Sequence, residues 1–232
     1  MKIAIIPARS GSKRIKQKNI RTLAGKPVIT RTIENLLSYD IFDRLIVTTD
    51  CKEIASVARK AGAEIPFLRA ARLSDDQTPT LKVIQDSLLK LAKLNMDASV
   101  CCVYPIACLM QKESFLNSYQ LLEANPTKFV IALQQYKHPI DRSLNLYEDH
   151  VISPLDATFA STRTQDCVPK YHDAGQFYWA KKSIWLESEQ ILRAGEIGYE
   201  LSQTEAVDVD TMDDWKMFEA LFLYKENYDA NR

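Results

Sequence analysis

The chain has 232 residues, of which 46% are hydrophobic and 26% charged, and its 30 basic residues balance its 30 acidic ones. Balanced charge argues against a dedicated nucleic-acid-binding protein, which carries a broad basic face. No apolar run approaches the roughly 18 residues of a membrane span, and the amino terminus lacks a signal-peptide pattern. We therefore expect one cytoplasmic globular domain over residues 1–232, with neither a nucleic acid nor a membrane as partner.

Short β-rich runs alternate with helical segments along most of the chain. Several of these runs are apolar throughout, as expected for strands covered on both faces. Pro27 is placed to open the first helix, Asp50 to cap the second, and Thr80 to precede the third. The pattern predicts an α/β fold with a mainly parallel sheet. Predicted strands are residues 2–7, 44–49, 65–68, 99–104, 129–133, 176–179 and 207–209, and predicted helices are 27–38, 51–61 and 81–94.

The alternation weakens between about residues 134 and 170, where Pro139, Pro154 and Pro169 interrupt a polar segment. A structureless loop of this length is uncommon inside a compact domain. We therefore expect residues 134–174 to form a β-rich arm that serves in binding or in dimer formation.

The loop after the first predicted strand, residues 7–18, is the most informative segment. Ser10, Gly11 and Ser12 let backbone N–H groups approach an anion closely, and a loop at the carboxyl end of a strand opens onto the usual ligand crevice. Gly11 stands alone until Gly25, so neither the P-loop nor the dinucleotide-binding motif can be read. The segment favours a phosphate-chain site over a merely solvated basic turn. Its five cations are Arg9, Lys13, Arg14, Lys16 and Lys18.

Two carboxylates end the last predicted strand. Asp208 and Asp210 are two residues apart, so on an extended backbone both project from one face. Like charges this close raise a pKa or recruit a cation, and two oxygen ligands that leave the remaining positions to water and phosphate are typical of magnesium. The alternative is that one of them caps the final helix. Thr211 and Asp214 also fit a capping box for that helix, which we expect to reach Tyr224 before a frayed tail.

The cysteines and histidines give no metal-site spacing. Five cysteines include the adjacent pair Cys101 and Cys102 within an apolar run, which indicates core packing, and no C-x-x-C occurs. We expect reduced thiols and no structural zinc.

Several segments together resemble the sugar-nonulosonate cytidylyltransferases, the family of the CMP-sialic acid synthetases and, more distantly, the CMP-Kdo synthetases. Two further runs, 161–166 (STRTQD) and 171–179 (YHDAGQFYW), are most similar to its pseudaminic acid branch. The resemblance spans nearly the whole chain and implies a Rossmann-like, glycosyltransferase A-like nucleotidyltransferase fold with a dimer-forming excursion. The family-like segments are 5–13 (IIPARSGSK), 18–19 (KN), 25–27 (GKP), 46–50 (IVTTD), 67–69 (FLR), 73–76 (LSDD) and 208–211 (DVDT).

The resemblance implies that the anomeric hydroxyl of a nine-carbon α-keto acid sugar attacks the α-phosphorus of CTP, which releases pyrophosphate and gives the CMP-sugar. Mg²⁺ would be the cofactor, held by Asp208 and Asp210. Arg9 and Lys18 would be the catalytic charge stabilisers, with Ser12 and Lys13 helping to hold the phosphates. A homodimer formed through the arm is a separate hypothesis.

The resemblance also implies binding roles for the nucleotide and the sugar. The nucleotide would also contact Asn19, Arg69, Thr78 and Thr80. The sugar needs a cation for its carboxylate and polar or aromatic contacts for its acylamino groups. The general base has three candidates: His172, a metal-bound hydroxide, and a carboxylate of the aspartate pair. The sugar-binding candidates are Tyr104, Arg142, Arg163, Gln165, Tyr171, His172 and Gln176.

The chain departs from the family pattern at two places. Pro105-Ile106-Ala107-Cys108 stands where the family has Pro-Thr-Ser/Ala-Pro, and Lys16 stands where it has proline. Within the same class, the acceptor could also be legionaminic or N-acetylneuraminic acid, because one sequence does not show the width of the sugar pocket. A non-catalytic nucleotide-binding subunit is the alternative from another class, and a phosphohydrolase built on His172 and Asp173 is a weaker one.

Overall fold

The computed structural model describes residues 1–12, 14–91 and 94–230, without the side chains of residues 229 and 230. The strands are β1 Lys2–Pro7, β2 Thr22–Leu23, β3 Lys26–Pro27, β4 Arg44–Thr48, β5 Ser99–Val103, β6 Val130–Gln135, β7 Leu144–Leu146, β8 Ile152–Pro154, β9 Tyr171–Lys181 and β10 Ile197–Glu200. The helices are α1 Val28–Tyr39, α2 Lys52–Lys60, α3 Thr80–Lys90, α4 Lys112–Ala124, α5 Lys182–Glu187 and α6 Met212–Ala230.

The central sheet of the described residues has the strand order β10-β6-β9-β5-β1-β4. β1 pairs in parallel with β4 and β5, and β10 pairs in parallel with β6. β9 runs antiparallel to both of its neighbours. Most pairings are parallel, so the predicted mainly parallel α/β sheet is confirmed. β10 is a strand that the sequence pattern did not reveal.

Alternating residues of β1 enter two different cores, which explains why this strand is apolar throughout. Ala4 and Ile6 pack with α1, α2 and α4 on one face, and Ile3 and Ile5 pack with α3 and α5 on the other. Burial on both faces is the usual position of parallel strands between helical layers. The adjacent Cys101 and Cys102 of β5 divide between the two cores in the same way, and all five cysteines are free thiols.

The last helix closes a third cluster, where Trp215 and Phe218 of α6 pack against Ile15 of the loop after β1. Its amino terminus has the predicted capping box: the Asp214 carboxylate accepts a hydrogen bond from the Thr211 N–H, and the Thr211 hydroxyl accepts one from the Asp214 N–H. The helix continues to residue 230, so the tail predicted to fray after residue 225 is helical. No helix of the described residues is long and apolar enough to cross a membrane.

Three local predictions are wrong. Residues 65–68 are not a strand: a single bridge joins Glu64 to Ile46, and Pro66 has no N–H to give to a ladder. Cys51 rather than Asp50 is the N-cap of α2, because the Asp50 carboxylate faces the loop after β1. Residues 207–209 form no strand with any described segment. Instead, the Lys18 side chain donates a hydrogen bond to the Val209 carbonyl.

The arm over 134–174 is less rich in β structure than predicted. It holds the end of β6, the short hairpin of β7 and β8, single 3-10 turns, and the start of β9. Its prolines interrupt regular pairing, since Pro139 precedes a 3-10 turn and Pro154 ends β8. The hairpin is solvent-exposed, with Leu146 at 70% and Ile152 at 58% exposure.

Candidate active site

A cleft of about 750 Å³ opens at the carboxyl ends of β1 and β5. Pro7 at the end of β1 and Tyr104 just after β5 line it, and Asp208 and Asp210 form part of its wall. This edge of an open α/β sheet is where ligands usually bind. Of the predicted site residues, the cleft is lined by Arg9, Ser12, Lys18, Asn19, Arg69, Thr78, Thr80, Tyr104, Asp208 and Asp210. Lys13 lies outside the described residues.

Hydrogen bonds hold the loop after β1 over the cleft. Ser10 donates to the Asp50 carboxylate from its backbone N–H (3.2 Å) and its hydroxyl (2.7 Å). The Asn19 amide donates to the Arg9 carbonyl at 2.9 Å, and Ile15 is buried beneath the loop. Asp50 therefore anchors the loop after β1 instead of capping α2.

Lys18 connects this loop to the carboxylate segment. Its Nζ donates to the Val209 carbonyl at 2.7 Å, between Asp208 and Asp210. Partial burial lowers the pKa of Lys18, and the two aspartates oppose that shift. Partial desolvation, reinforced by Asp210, raises the pKa of Asp208. The buried Val209 turns inward, so both aspartates face the cleft although the segment is not a strand.

Two arginines of the loop are paired with carboxylates across the cleft. Arg9 donates to Asp76, and Arg14 forms an ion pair with Asp210. The cations and anions of this cleft thus neutralise each other in part. A triphosphate and a divalent cation would offer each set a partner of opposite charge.

Arg69 is the most buried cation of the cleft, with its side chain 2% exposed. Its Nε donates to the Ser74 hydroxyl at 3.0 Å, and Nη2 lies 3.7 Å from Asp50. Nη2 makes no hydrogen bond within the described structure. Burial is the main cause of a lowered pKa for this guanidinium. A buried donor without an acceptor is costly, which indicates that a ligand completes it.

Hydroxyl groups also line the cleft. Thr78 donates to Asp75 at 2.7 Å, and the Thr80 hydroxyl shares a hydrogen bond of 2.8 Å with the Tyr104 hydroxyl. Burial raises the pKa of Tyr104, so its hydroxyl stays protonated at neutral pH. Ile106, the departure from the family pattern, also lines the cleft, whereas Cys108 is buried against the cluster around α6.

Comparison with known proteins identifies the family. The sequence profile of the cytidylyltransferases matches residues 3–227. The chain belongs to the cytidylyltransferase family. This cytidylyltransferase is 37% identical to the pseudaminic acid cytidylyltransferase of Campylobacter jejuni, across 98% of both chains. It is 30% identical to the CMP-N,N'-diacetyllegionaminic acid synthase of Legionella pneumophila, across 94% of this chain and 95% of that one.

A solved structure of a CTP-binding synthetase has a similar fold. CMP:2-keto-3-deoxy-manno-octonic acid synthetase, determined in complex with CTP, superposes with a TM-score of 0.70 over 97% of this chain and 99% of that chain. At 15% identity the likeness speaks for the fold alone. The nucleotidyltransferase fold that the family resemblance implied is thereby confirmed.

Most of the sugar-binding candidates do not line the cleft of this cytidylyltransferase. Five of these side chains contact either residues that do not line the cleft or a neighbouring backbone group. Arg142 donates to the Thr164 hydroxyl at 2.7 Å, and Arg163 pairs with Asp166. The Tyr171 hydroxyl donates to Glu200 at 3.2 Å. Gln165 is exposed on the arm, the His172 ring is tilted against Tyr136 with ring centroids 4.8 Å apart, and the buried Gln176 donates to the Ala174 carbonyl at 3.1 Å.

The structure adds cleft residues that sequence reasoning did not select. Arg14 is one of the loop cations, and Asp75 and Asp76 belong to a family-like segment, so signals for these three were present. Asp173 and Tyr178 of β9 also line the cleft. Asp173 is adjacent to His172, and Tyr178 is two residues from Gln176, both of which were selected. The pairing of β9 with β6 is irregular in this part of the strand.

Proposed function

We propose that this cytidylyltransferase transfers CMP from CTP to pseudaminic acid, a nine-carbon α-keto acid sugar, and releases pyrophosphate. The observation that carries the proposal is that the cationic loop and the aspartate pair, nearly 200 residues apart in sequence, line one cleft and are joined by the Lys18–Val209 hydrogen bond. The name of the Campylobacter relative, which matches along the whole chain, supports the choice of sugar.

Arg9 and Lys18 would stabilise the charge that develops on the α-phosphoryl group and the departing pyrophosphate. Phosphoryl and nucleotidyl transfer depends mainly on positioning and electrostatics, so fixed cations supply most of the catalysis. Lys18 is held by its hydrogen bond to Val209, and Arg9 is oriented by Asp76 until an anion takes its place. Ser12 would contribute to the phosphate site, and Arg69 and Asn19 to the nucleoside.

The aspartate pair fits a Mg²⁺ ion. No group of three metal-ligating side chains occurs in the described parts of the chain, but Mg²⁺ commonly takes one or two carboxylates and completes its shell with water and phosphate. Asp210 already pairs with Arg14, and partial burial beside Asp210 raises the pKa of Asp208, so a bound cation would favour the ionised form of Asp208. When bound, the ion would neutralise phosphate charge.

A homodimer through the arm is part of the proposal. The hairpin exposes a set of large apolar side chains, and exposed apolar surface of this kind is typical of an interface. The roles of Arg142, Arg163 and Gln165 in sugar binding stay predictions, as do those of Tyr171, His172 and Gln176. The exposed side chains on or next to the hairpin are Leu144, Leu146, Tyr147, Val151, Ile152 and Leu155.

Transfer to a related nonulosonic acid is the second candidate function. The Legionella relative named as a legionaminic acid synthase is also similar along nearly its whole length. A non-catalytic nucleotide-binding subunit would keep the fold without turnover. For the general base, His172 lies outside the cleft lining, so a cleft carboxylate is the better candidate.

A pyrophosphate-release assay separates these functions. Purified protein with Mg²⁺ would be given each of the four nucleoside triphosphates and a panel of pseudaminic, legionaminic and N-acetylneuraminic acids. We expect turnover with CTP and the highest kcat/KM for pseudaminic acid. A higher kcat/KM for another acid would move the assignment to that sugar, and CTP binding without release would favour the non-catalytic subunit.

A further inference from the structure

Asp173 is the cleft carboxylate whose role is still open. It lies in β9, where pairing with β6 shifts: Ile131 is opposite Tyr178, but Leu133 is opposite Asp173. An advance of two residues along β6 therefore corresponds to five residues along β9, so β9 bulges between Asp173 and Tyr178. Gly175 lies in this bulge and has a φ of +60°. Such a bulge re-aims side chains, and here it brings both Asp173 and Tyr178 to the cleft.

The Asp173 carboxylate is held by two hydrogen bonds from its own strand. Oδ1 accepts the Gly175 N–H at 2.9 Å, and Oδ2 accepts the Tyr178 hydroxyl. Burial, with further contributions from Tyr104 and Asp173, raises the pKa of Tyr178, so this phenol stays a donor. A carboxylate offers about four acceptor positions, so two hydrogen bonds leave capacity for a ligand.

The sheet order separates Asp173 from the cationic loop and from Arg69, whereas Thr80 reaches toward the Asp173 side through Tyr104. The loop after β1 and Arg69 lie on the β1 and β4 side of the cleft, whereas Asp173 is on β9, with β5 between them. A triphosphate would be repelled by this carboxylate, and so would the carboxylate of the sugar. Among the groups of the acceptor sugar, those that fit beside Asp173 are neutral hydrogen-bond donors, either an amide N–H or a hydroxyl.

We propose that Asp173 accepts a hydrogen bond from an acylamino N–H or a hydroxyl of the acceptor sugar, with Tyr178 positioning the carboxylate. The inference rests on the proposed function, since it assigns the acceptor end of the same cleft. It makes the β9 bulge a specificity-determining element: the bulge places an acceptor where a sugar presents donors, and it turns the sugar carboxylate away from this wall.

The test compares Asp173→Asn with Asp97→Asn, which changes an exposed turn carboxylate outside the cleft. We expect Asp173→Asn to raise the KM for the sugar about tenfold or more. The asparagine NH2 group would face the N–H or O–H of the sugar, which would then have no acceptor. The KM for CTP and kcat at saturating sugar should change less than about threefold. Tyr178→Phe should give a smaller rise in the same parameter, and thermal unfolding with CTP binding verifies the fold of each variant.

The opposing results are distinct. An unchanged sugar KM in folded Asp173→Asn overturns the inference. A fall in kcat with a shifted pH profile and an unchanged sugar KM also overturns it, because that pattern reports proton transfer by Asp173 instead of recognition. If the wild-type protein binds CTP but transfers CMP to none of the nonulosonic acids, the proposed function fails, and the inference fails with it.

Discussion

Lys18 and Val209 join the two ends of the chain at the cleft, through a hydrogen bond of 2.7 Å from the ammonium group to the backbone carbonyl. The bond places one cation between Asp208 and Asp210, so a phosphate bound by Lys18 would also lie beside the proposed metal ligands. The cation site and the carboxylate site therefore form one functional unit.

Lys18→Met should lower kcat about 100- to 1000-fold, because it removes a fixed cation that stabilises charge in the transition state. Steady-state pyrophosphate release measures the effect. Lys16→Met is the matched control, since Lys16 is in the same loop but is exposed and does not line the cleft. Equal losses in the two variants would contradict a specific role for Lys18.

Asp210→Asn should abolish most Mg²⁺-dependent turnover, with a loss of at least about 100-fold that higher Mg²⁺ restores only in part. A Mg²⁺ titration of pyrophosphate release gives the measurement. The exposed Asp213, which pairs with Lys216 on α6, provides the control Asp213→Asn. Near-normal activity of Asp210→Asn would refute the metal assignment.

Asp208 should make the metal-free protein less stable as the pH rises. Its pKa is raised above the ordinary 3.8, so the folded state binds the proton more tightly than the unfolded state does. The stabilisation is present at low pH and is lost as the pH rises through the raised pKa. In the presence of chelator, Asp208→Asn should therefore increase the melting temperature at pH 7.5, with a gain of about 2–4 °C for each kcal/mol, and the gain should shrink as the pH falls. A lower melting temperature at pH 7.5 would contradict this account.

Arg69→Lys should raise the KM for CTP about tenfold or more. A lysine ammonium group cannot both bond Ser74, as Nε of Arg69 does, and place a second donor where Nη2 lies. The exposed Arg72, three residues away and outside the cleft lining, gives the control Arg72→Lys. Both variants would be assayed with CTP and UTP. If Arg69 contacts the base, the ratio of kcat/KM for CTP to that for UTP should fall only in Arg69→Lys; an unchanged ratio would place Arg69 away from the base.

The arm should mediate dimerisation. Light scattering should give a mass near twice 26.5 kDa for the wild type, and Leu146→Glu should shift it toward the monomer, since a buried charge weakens an apolar interface. Leu89→Glu is the control, because Leu89 is equally exposed (71%) but lies on α3, away from the arm. A monomeric wild type would contradict the proposed dimer.

The sequence by itself determined the features that depend on local pattern. The apolar runs of β1 and β5, the capping box of Thr211 and Asp214, and the cationic loop could all be read directly, because period and composition fix which residues are buried or capped. The family-like segments indicated the cytidylyltransferases through their resemblance to that family, and most of them also line the cleft.

Tertiary structure alone decided the features that depend on pairing between distant segments. Asp50 anchors Ser10 instead of capping α2, the segment around Val209 is held by Lys18 instead of a neighbouring strand, and the bulge of β9 turns Asp173 to the cleft. In each case a contact with a segment distant in sequence decides where the side chains lie. Local periodicity carries no information about the distant partner, so the three-dimensional arrangement decides.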